Sequence, residues 1–197
     1  MGREVEAHVM YQGQTGLVRA LLESDALILR GEVRLRLPRA GLQGWQADGD
    51  DLRLRTTAGD LVLTIGAKDA ASWVAALRRP VPTLHEKLGL TGAAIWLLRV
   101  PDDVALEQAV AGIPIVPPAQ ATLGIAVIRC TADLNALLAV CVAHAELVVW
   151  AINKKGKAAR IAESTIRTAL RGLGMVDTKA CAVSTTLSGT RYQRRRG

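Results

Sequence analysis

Residues 63–73, Leu63-Thr64-Ile65-Gly66-Ala67-Lys68-Asp69-Ala70-Ala71-Ser72-Trp73, change period in mid-stretch. Up to Ile65 the apolar positions follow the two-residue repeat of a half-buried strand. Beyond Gly66, Ala70, Trp73, Val74 and Leu77 fall on one helical face. Working backward, the strand pattern recurs in short runs near 4–10, 17–23, 26–30, 33–37, 42–47, 51–56 and 60–65. Val33-Arg34-Leu35-Arg36-Leu37 and Leu52-Arg53-Leu54-Arg55 alternate apolar and basic, so one face packs inward and the other meets water. Gly31, Asp48-Gly49 and Ala58-Gly59 supply tight turns between neighbours. Working forward, Pro80 and Pro82 stop the helix and read as a linker, predicting a first domain over 1–79 and a second over 83–197.

Seven short strands followed by a helix that carries a tryptophan resemble a pleckstrin-homology-like β-barrel. The resemblance implies that the C-terminal helix plugs one open end, with Trp73 in the core. Lipid-binding members of that fold hold phosphates with Lys and Arg around the first hairpin. Here the hairpin reads Tyr11-Gln12-Gly13-Gln14-Thr15-Gly16, with Arg19 nearby. The resemblance therefore implies a docking or scaffolding module rather than a phosphoinositide binder.

The second domain alternates strand and helix patterns. Strands are expected at 95–100, 113–116, 124–129 and 147–152, and helices at 102–110, 131–143 and 158–171. An antiparallel pair at 175–183 and 187–194 closes the chain. Thr83-Leu84-His85-Glu86 carries a capping box, and Gly89 ends the short helix it opens. Near-continuous apolar strands such as Ile125-Ala126-Val127-Ile128 fit a sheet covered on both faces. The fold class read from these patterns is α+β with two domains, the second an α/β, Rossmann-like layered sheet.

Several motifs in this half carry a family resemblance. They are Thr83-Leu84-His85-Glu86-Lys87-Leu88-Gly89-Leu90, Trp150 with Asn153-Lys154-Lys155, Gly174-Met175-Val176-Asp177-Thr178-Lys179-Ala180-Cys181-Ala182-Val183, and Ser188-Gly189 with Arg191. Over residues 83–196 they resemble the bacterial family named domain of unknown function 3052. That resemblance implies a compact, degenerate methyltransferase-like domain without an assigned activity. Asn153, Ser184 and Leu187 stand where that family has a proline, an acidic residue and a tryptophan.

Composition narrows the function classes. Half of the 197 residues are hydrophobic and 22% are charged, the balance of a globular chain. The longest apolar stretch, 134–152, is interrupted by Asn135, His144 and Glu146 and reads as helix then strand, not a membrane span. The first residues lack an apolar signal core, and three cysteines (Cys130, Cys141 and Cys181) sit in apolar runs without paired spacing. Both features predict a cytoplasmic protein with reduced thiols and no zinc site.

No catalytic constellation emerges, so no catalytic residue and no metal ligand is assigned. His8, His85 and His144 each lie in an expected secondary element, without a nucleophile elbow beside them. A cofactor such as S-adenosylmethionine needs a glycine-rich turn after the first strand. The turn here is Arg99-Val100-Pro101-Asp102-Asp103, whose acids read as helix capping. No cofactor is expected, and a methyltransferase-like enzyme is only the third reading. Asp177 and Lys179 are expected on one strand face as an ion pair.

Charge is concentrated late in the chain. Residues 150–197 carry 11 Lys and Arg against 2 Asp and Glu. Lys154, Lys155 and Lys157 follow a strand and precede a helix, a place where α/β sheets bind anions. The terminal run Arg191-Tyr192-Gln193-Arg194-Arg195-Arg196 reads as a basic tail with one stacking ring. The polyanion-binding candidates are thus Lys154, Lys155, Lys157, Arg191, Arg194, Arg195 and Arg196. The first reading is a non-enzymatic interaction or scaffolding protein with a protein partner. The alternative is a nucleic-acid or other polyanion binder, and no membrane partner is expected.

Overall fold

The computed structural model describes residues 3–195, the side chain of Lys157 excepted. The chain forms two compact units, Met1–Val81 and Pro82–Gly197.

In the first unit, Gln12 and Gly13 both take positive φ (51° and 76°). This is the two-residue turn whose twist suits a hairpin, and it joins β1 (Arg3–Tyr11) to β2 (Gln14–Leu22) in the register Tyr11↔Gln14. Five further strands follow: β3 (Ala26–Gly31), β4 (Leu35–Pro38), β5 (Leu42–Asp48), β6 (Asp51–Thr56) and β7 (Gly59–Thr64). All pair antiparallel in one curled sheet of order β4-β3-β2-β1-β7-β6-β5. The alternation works as the sequence suggests. Leu52 and Leu54 are buried, while Arg53 points outward to Asp48 (3.0 Å) and Asp51 (3.5 Å).

Helix α1 (Ala67–Arg78) begins where Gly66 adopts φ 86°, a value available to glycine. Asp50 fixes that start, its carboxylate accepting from the Ala67 amide (2.9 Å) and its carbonyl from the Ile65 amide (2.9 Å). Arg39 fixes the other end by donating to the Leu77 and Arg79 carbonyls (2.7 and 2.6 Å), where the helix has orphan acceptors. Between them Ala70, Trp73, Val74 and Leu77 are buried against the sheet's apolar face. Trp73, 2% exposed, is the largest side chain in that core.

The second unit opens with the capping box at Thr83 and Glu86 and helix α2 (Leu84–Leu88), closed by Gly89 in the left-handed region. There follow β8 (Ile95–Leu97), α3 (Val104–Val110), β9 (Leu123–Val127), α4 (Thr131–Ala143), β10 (Val148–Lys154), α5 (Glu163–Gly172), β11 (Met175–Ala182) and β12 (Leu187–Arg194). They give a five-stranded sheet of order β11-β12-β10-β9-β8. β8, β9 and β10 run parallel, and β12 is antiparallel to both β10 and β11. Both faces are covered. Trp150 and Ile152 pack with Leu88 and Leu106 on one side, and Val149 and Ala151 with Leu137 and Ile166 on the other.

This architecture corrects the expected fold class. The chain is mostly β, twelve strands against five α-helices among the described residues, and the second unit is no Rossmann-like or methyltransferase-like α/β domain. Its parallel part is three strands laid down in one direction, so it lacks the reversal of strand order that creates a cofactor crevice in doubly wound sheets. The expected strand at 113–116 is reduced to a single bridge, Ile95↔Ile115. The expected helix at 158–171 begins only at Glu163, after a 3-10 turn over Gly156–Ala158.

Replacing Trp73 with alanine is predicted to destabilise the first unit by about 4 kcal/mol, transfer and cavity costs together. Urea unfolding followed on that unit should show the midpoint fall, with the slope retained.

Candidate functional site

Three loops leave the carboxyl ends of β8, β9 and β10 and frame a cleft of about 260 Å³. It is lined by Asp102, Ile128, Arg129, Lys154, Ala158 and Arg160. Ile128 continues β9 by one residue, its amide donating to the Ile152 carbonyl (2.7 Å). That bond carries the chain to Arg129, whose guanidinium donates to Asp102 (2.9 Å) and to the Val100 carbonyl (3.1 Å). Lys154, the last residue of β10, and Arg160 are exposed and in no ion pair among the described residues. Three cations therefore face one carboxylate, and Val100 and Val104 add exposed apolar surface beside the loop from β8.

The frame beneath the cleft is held by Asp133. This carboxylate, 3% exposed, sits in the first turn of α4 and accepts from the Arg129 and Cys130 amides (2.9 and 3.2 Å). It also accepts from Arg99 Nε (2.5 Å). Arg99 follows β8 and Arg129 follows β9, so one side chain ties two cleft loops to a helix start where negative charge is favourable. Burial works to raise the Asp133 pKa. The hydrogen bonds from Arg99, from the Arg129 amide and from Cys130 outweigh it and hold the carboxyl below its ordinary value. Asp103 is the N-cap of α3, accepting from the Leu106 amide (3.1 Å), whereas Asp102 pairs with Arg129 instead of capping.

The seven polyanion candidates do not converge. Lys154 reaches the cleft, but Lys155 is half-buried and donates to the Ser184 carbonyl (2.6 Å). The Lys157 side chain and Arg196 lie outside the described residues. Arg191 and Arg194 belong to β12 and not to a tail, and Arg194 donates to the Leu173 carbonyl (2.9 Å). Arg195, one residue further, is exposed. Lys154 pairs with Leu187, which puts Arg191 about 13 Å and Arg194 about 23 Å further along β12. Tyr192, expected as a stacking ring, is fully buried against Ile166 and Leu170. Arg129 and Arg160 supply the rest of the cleft's positive charge. Their signal in the sequence is only a basic residue two or six positions past a strand.

One further expectation changes. A bulge loops out Thr178, so Asp177 and Lys179 do not share a face. Asp177 pairs with Arg171 (2.7 Å), and Lys179 donates to the Lys87 carbonyl (2.7 Å). Cys181 is half-buried in β11, and Cys141 is buried against β-sheet and helix, its thiol pushed up to about 11 by burial, with Arg194 opposing. His85 Nδ1 lies 2.9 Å from the Ala109 carbonyl, which engages it in joining α2 to α3. Among the described residues no three His, Cys, Asp or Glu side chains gather as metal ligands, and no helix is long and apolar enough to cross a membrane.

With the geometry described, comparison adds the following. The N-terminal PH domain of the human protein ARAP2 is similar at a TM-score of 0.34 and 10% identity, over 39% of this chain and 75% of that one. The PH and C1 domains of the Vav1 exchange factor give 0.31 and 13%, over 43% of this chain and 26% of that one. No family model and no curated protein matches the chain.

Two outcomes are expected from the site's chemistry. Asp133→Asn costs about 2 kcal/mol near neutral pH, from weakened charge-assisted bonds at a buried acceptor. Because the folded carboxyl titrates below its ordinary value, its contribution is complete above about pH 4 and is lost as pH falls through the lowered value. Urea unfolding of parent and variant should therefore differ near neutrality and converge toward low pH. Separately, Cys141 should escape alkylation in the native protein at about pH 8 and react once the chain is unfolded, as read by mass spectrometry.

Proposed function

We propose that this chain is a non-enzymatic interaction protein whose second unit docks an acidic segment of a protein partner in the cleft at the carboxyl ends of β8–β10. The observation that carries the reading is the free charge there. Lys154 ends β10 and Arg160 lies in the connection that follows it, Arg129 adds a third cation, and Asp102 already engages Arg129. The exposed Val100, whose carbonyl accepts from Arg129, suits a partner that mixes acidic and apolar residues. Groups that could have served catalysis have structural duties instead: Asp133 caps α4, His85 contacts the Ala109 carbonyl, and Cys141 is packed in the core. Assignment of residues 83–196 to the bacterial family of domain of unknown function 3052 is part of the same proposal and rests on the motifs quoted above.

The sheet-like first unit is proposed as a second docking module. The cleft is small, about 260 Å³, and its three cations suit a short acidic peptide.

The test is fluorescence anisotropy with a labelled peptide rich in glutamate and leucine, at low and high salt. Binding should weaken with salt, and Lys154→Glu with Arg160→Glu should weaken it at least about tenfold, roughly 1.4 kcal/mol. Deleting residues 191–197 is the wrong control, because it removes half of β12 and the buried Tyr192. Peptide binding indifferent to both charge reversals, or tighter binding of an oligonucleotide of equal charge, would overturn the reading.

A further inference from the structure

Lys179 on β11 and Arg191 on β12 are direct cross-strand neighbours. Like charges placed so oppose folding. The bulge creates this arrangement. Without it Lys179 would share the face of Asp177, which lies with Arg171 of α5. Looping out Thr178 turns Lys179 toward the opposite face of the sheet, the one where Trp150 packs on Leu88. There its ammonium donates to the Lys87 carbonyl, bringing a third cation alongside.

These three cations line a second cleft, of about 300 Å³, together with Thr91, Thr122 and the turn Gly89–Gly92. It lies at the amino ends of the parallel strands and shares no lining residue with the first cleft. No carboxylate lines it, and none of the three cations is in an ion pair among the described residues. Glu86, beside Lys87 in the chain, is committed to the capping box with Thr83. Arg191 Nε is buried without a hydrogen-bond partner, as are Arg167 Nε, Arg194 Nε and the Tyr192 hydroxyl; of these four residues Arg191 is the one that lines this cleft. The half-buried Cys181 thiol senses the same field: burial raises its pKa while Lys179, Lys87 and Lys155 pull it down.

We propose that this cleft binds a small ligand through a phosphate monoester group, held by Arg191, Lys179 and Lys87. A monoester near neutral pH carries close to two negative charges and three acceptor oxygens. That suits three uncompensated cations better than a single carboxylate does, and a guanidinium can grip two of the oxygens at once. The ligand's phosphate offsets the repulsion that the cross-strand pair introduces.

The test uses the full chain, with glycerol 3-phosphate as the soluble probe and vesicles containing phosphatidic acid as the membrane-borne one. Calorimetric titration should show saturable binding of a probe, weakened at least about tenfold by Lys179→Thr and by Arg191→Gln, and unchanged by Lys154→Glu. Without any ligand, Lys179→Thr should unfold at a higher temperature than the parent, because a like-charge contact has been removed. Response to the soluble probe assigns the phosphate to a small molecule, and response to vesicles alone assigns it to a lipid headgroup; either supports the site. Absence of binding to both probes, or binding unaffected by the two substitutions, overturns it. So does a fall in the unligated unfolding temperature of Lys179→Thr, which would make Lys179 a structural residue. Since Lys154 takes no part, this outcome is independent of the acidic-peptide reading.

Discussion

Strand β10 is the constraint on which the second unit depends. Val149 through Asn153 are all buried, with Trp150 and Ile152 facing one layer and Val149 and Ala151 the other. Only such a strand can carry a parallel neighbour on one edge and an antiparallel one on the other while both faces stay covered. Trp150 Nε1 donates to the Leu88 carbonyl (3.0 Å), so the same strand also anchors α2 to the sheet. Its carboxyl end delivers Lys154 to one cleft, and its Trp150 underlies the other.

Charge is arranged around that apolar frame with unequal care. Many basic side chains are tied down: Arg39 on the end of α1, Arg99 on Asp133, Arg171 on Asp177, Lys155 and Arg194 on carbonyls. The surface ion pairs among these add little to stability. Lys154 and Arg160 at one end of the parallel strands and Lys87, Lys179 and Arg191 at the other stand apart in having no carboxylate partner among the described residues, although Asp102 shares the first cleft and Lys179 donates to the Lys87 carbonyl. A net positive charge of +7 is therefore less informative than which of its members lack partners.

The first unit was largely legible. Strands there alternate with a period of two, turns carry glycine, and the switch to helical spacing at Gly66 is abrupt. Each of these signals is local, so the elements fall close to where the pattern puts them. The second unit was legible in its elements but misleading in its assembly. Apolar strands covered on both faces read alike whether the sheet is doubly wound or, as here, three parallel strands closed by an antiparallel hairpin. The bulge at Thr178 carries no glycine or proline to announce it, and it alone reverses the face of Lys179. The terminal arginines read as a tail because basic residues dominate the composition there. Yet Tyr192 fills a fully buried place, and Arg191 and Arg194 lie with it in β12, within the strand expected at 187–194.

By itself the sequence determined the local matters: the turn at Gln12-Gly13, the helix carrying Trp73, the capping box at Thr83 and the abundance of late basic residues. These follow from backbone sterics, side-chain periodicity and composition, which act over a few residues. Tertiary structure alone decided which strands run parallel, which lysine meets which arginine, and which charges are left without partners. Those outcomes depend on strand register and on loops returning from distant parts of the chain. Arg99 meeting Asp133 across 34 residues and Lys179 meeting Lys87 across 92 are contacts that no local pattern encodes.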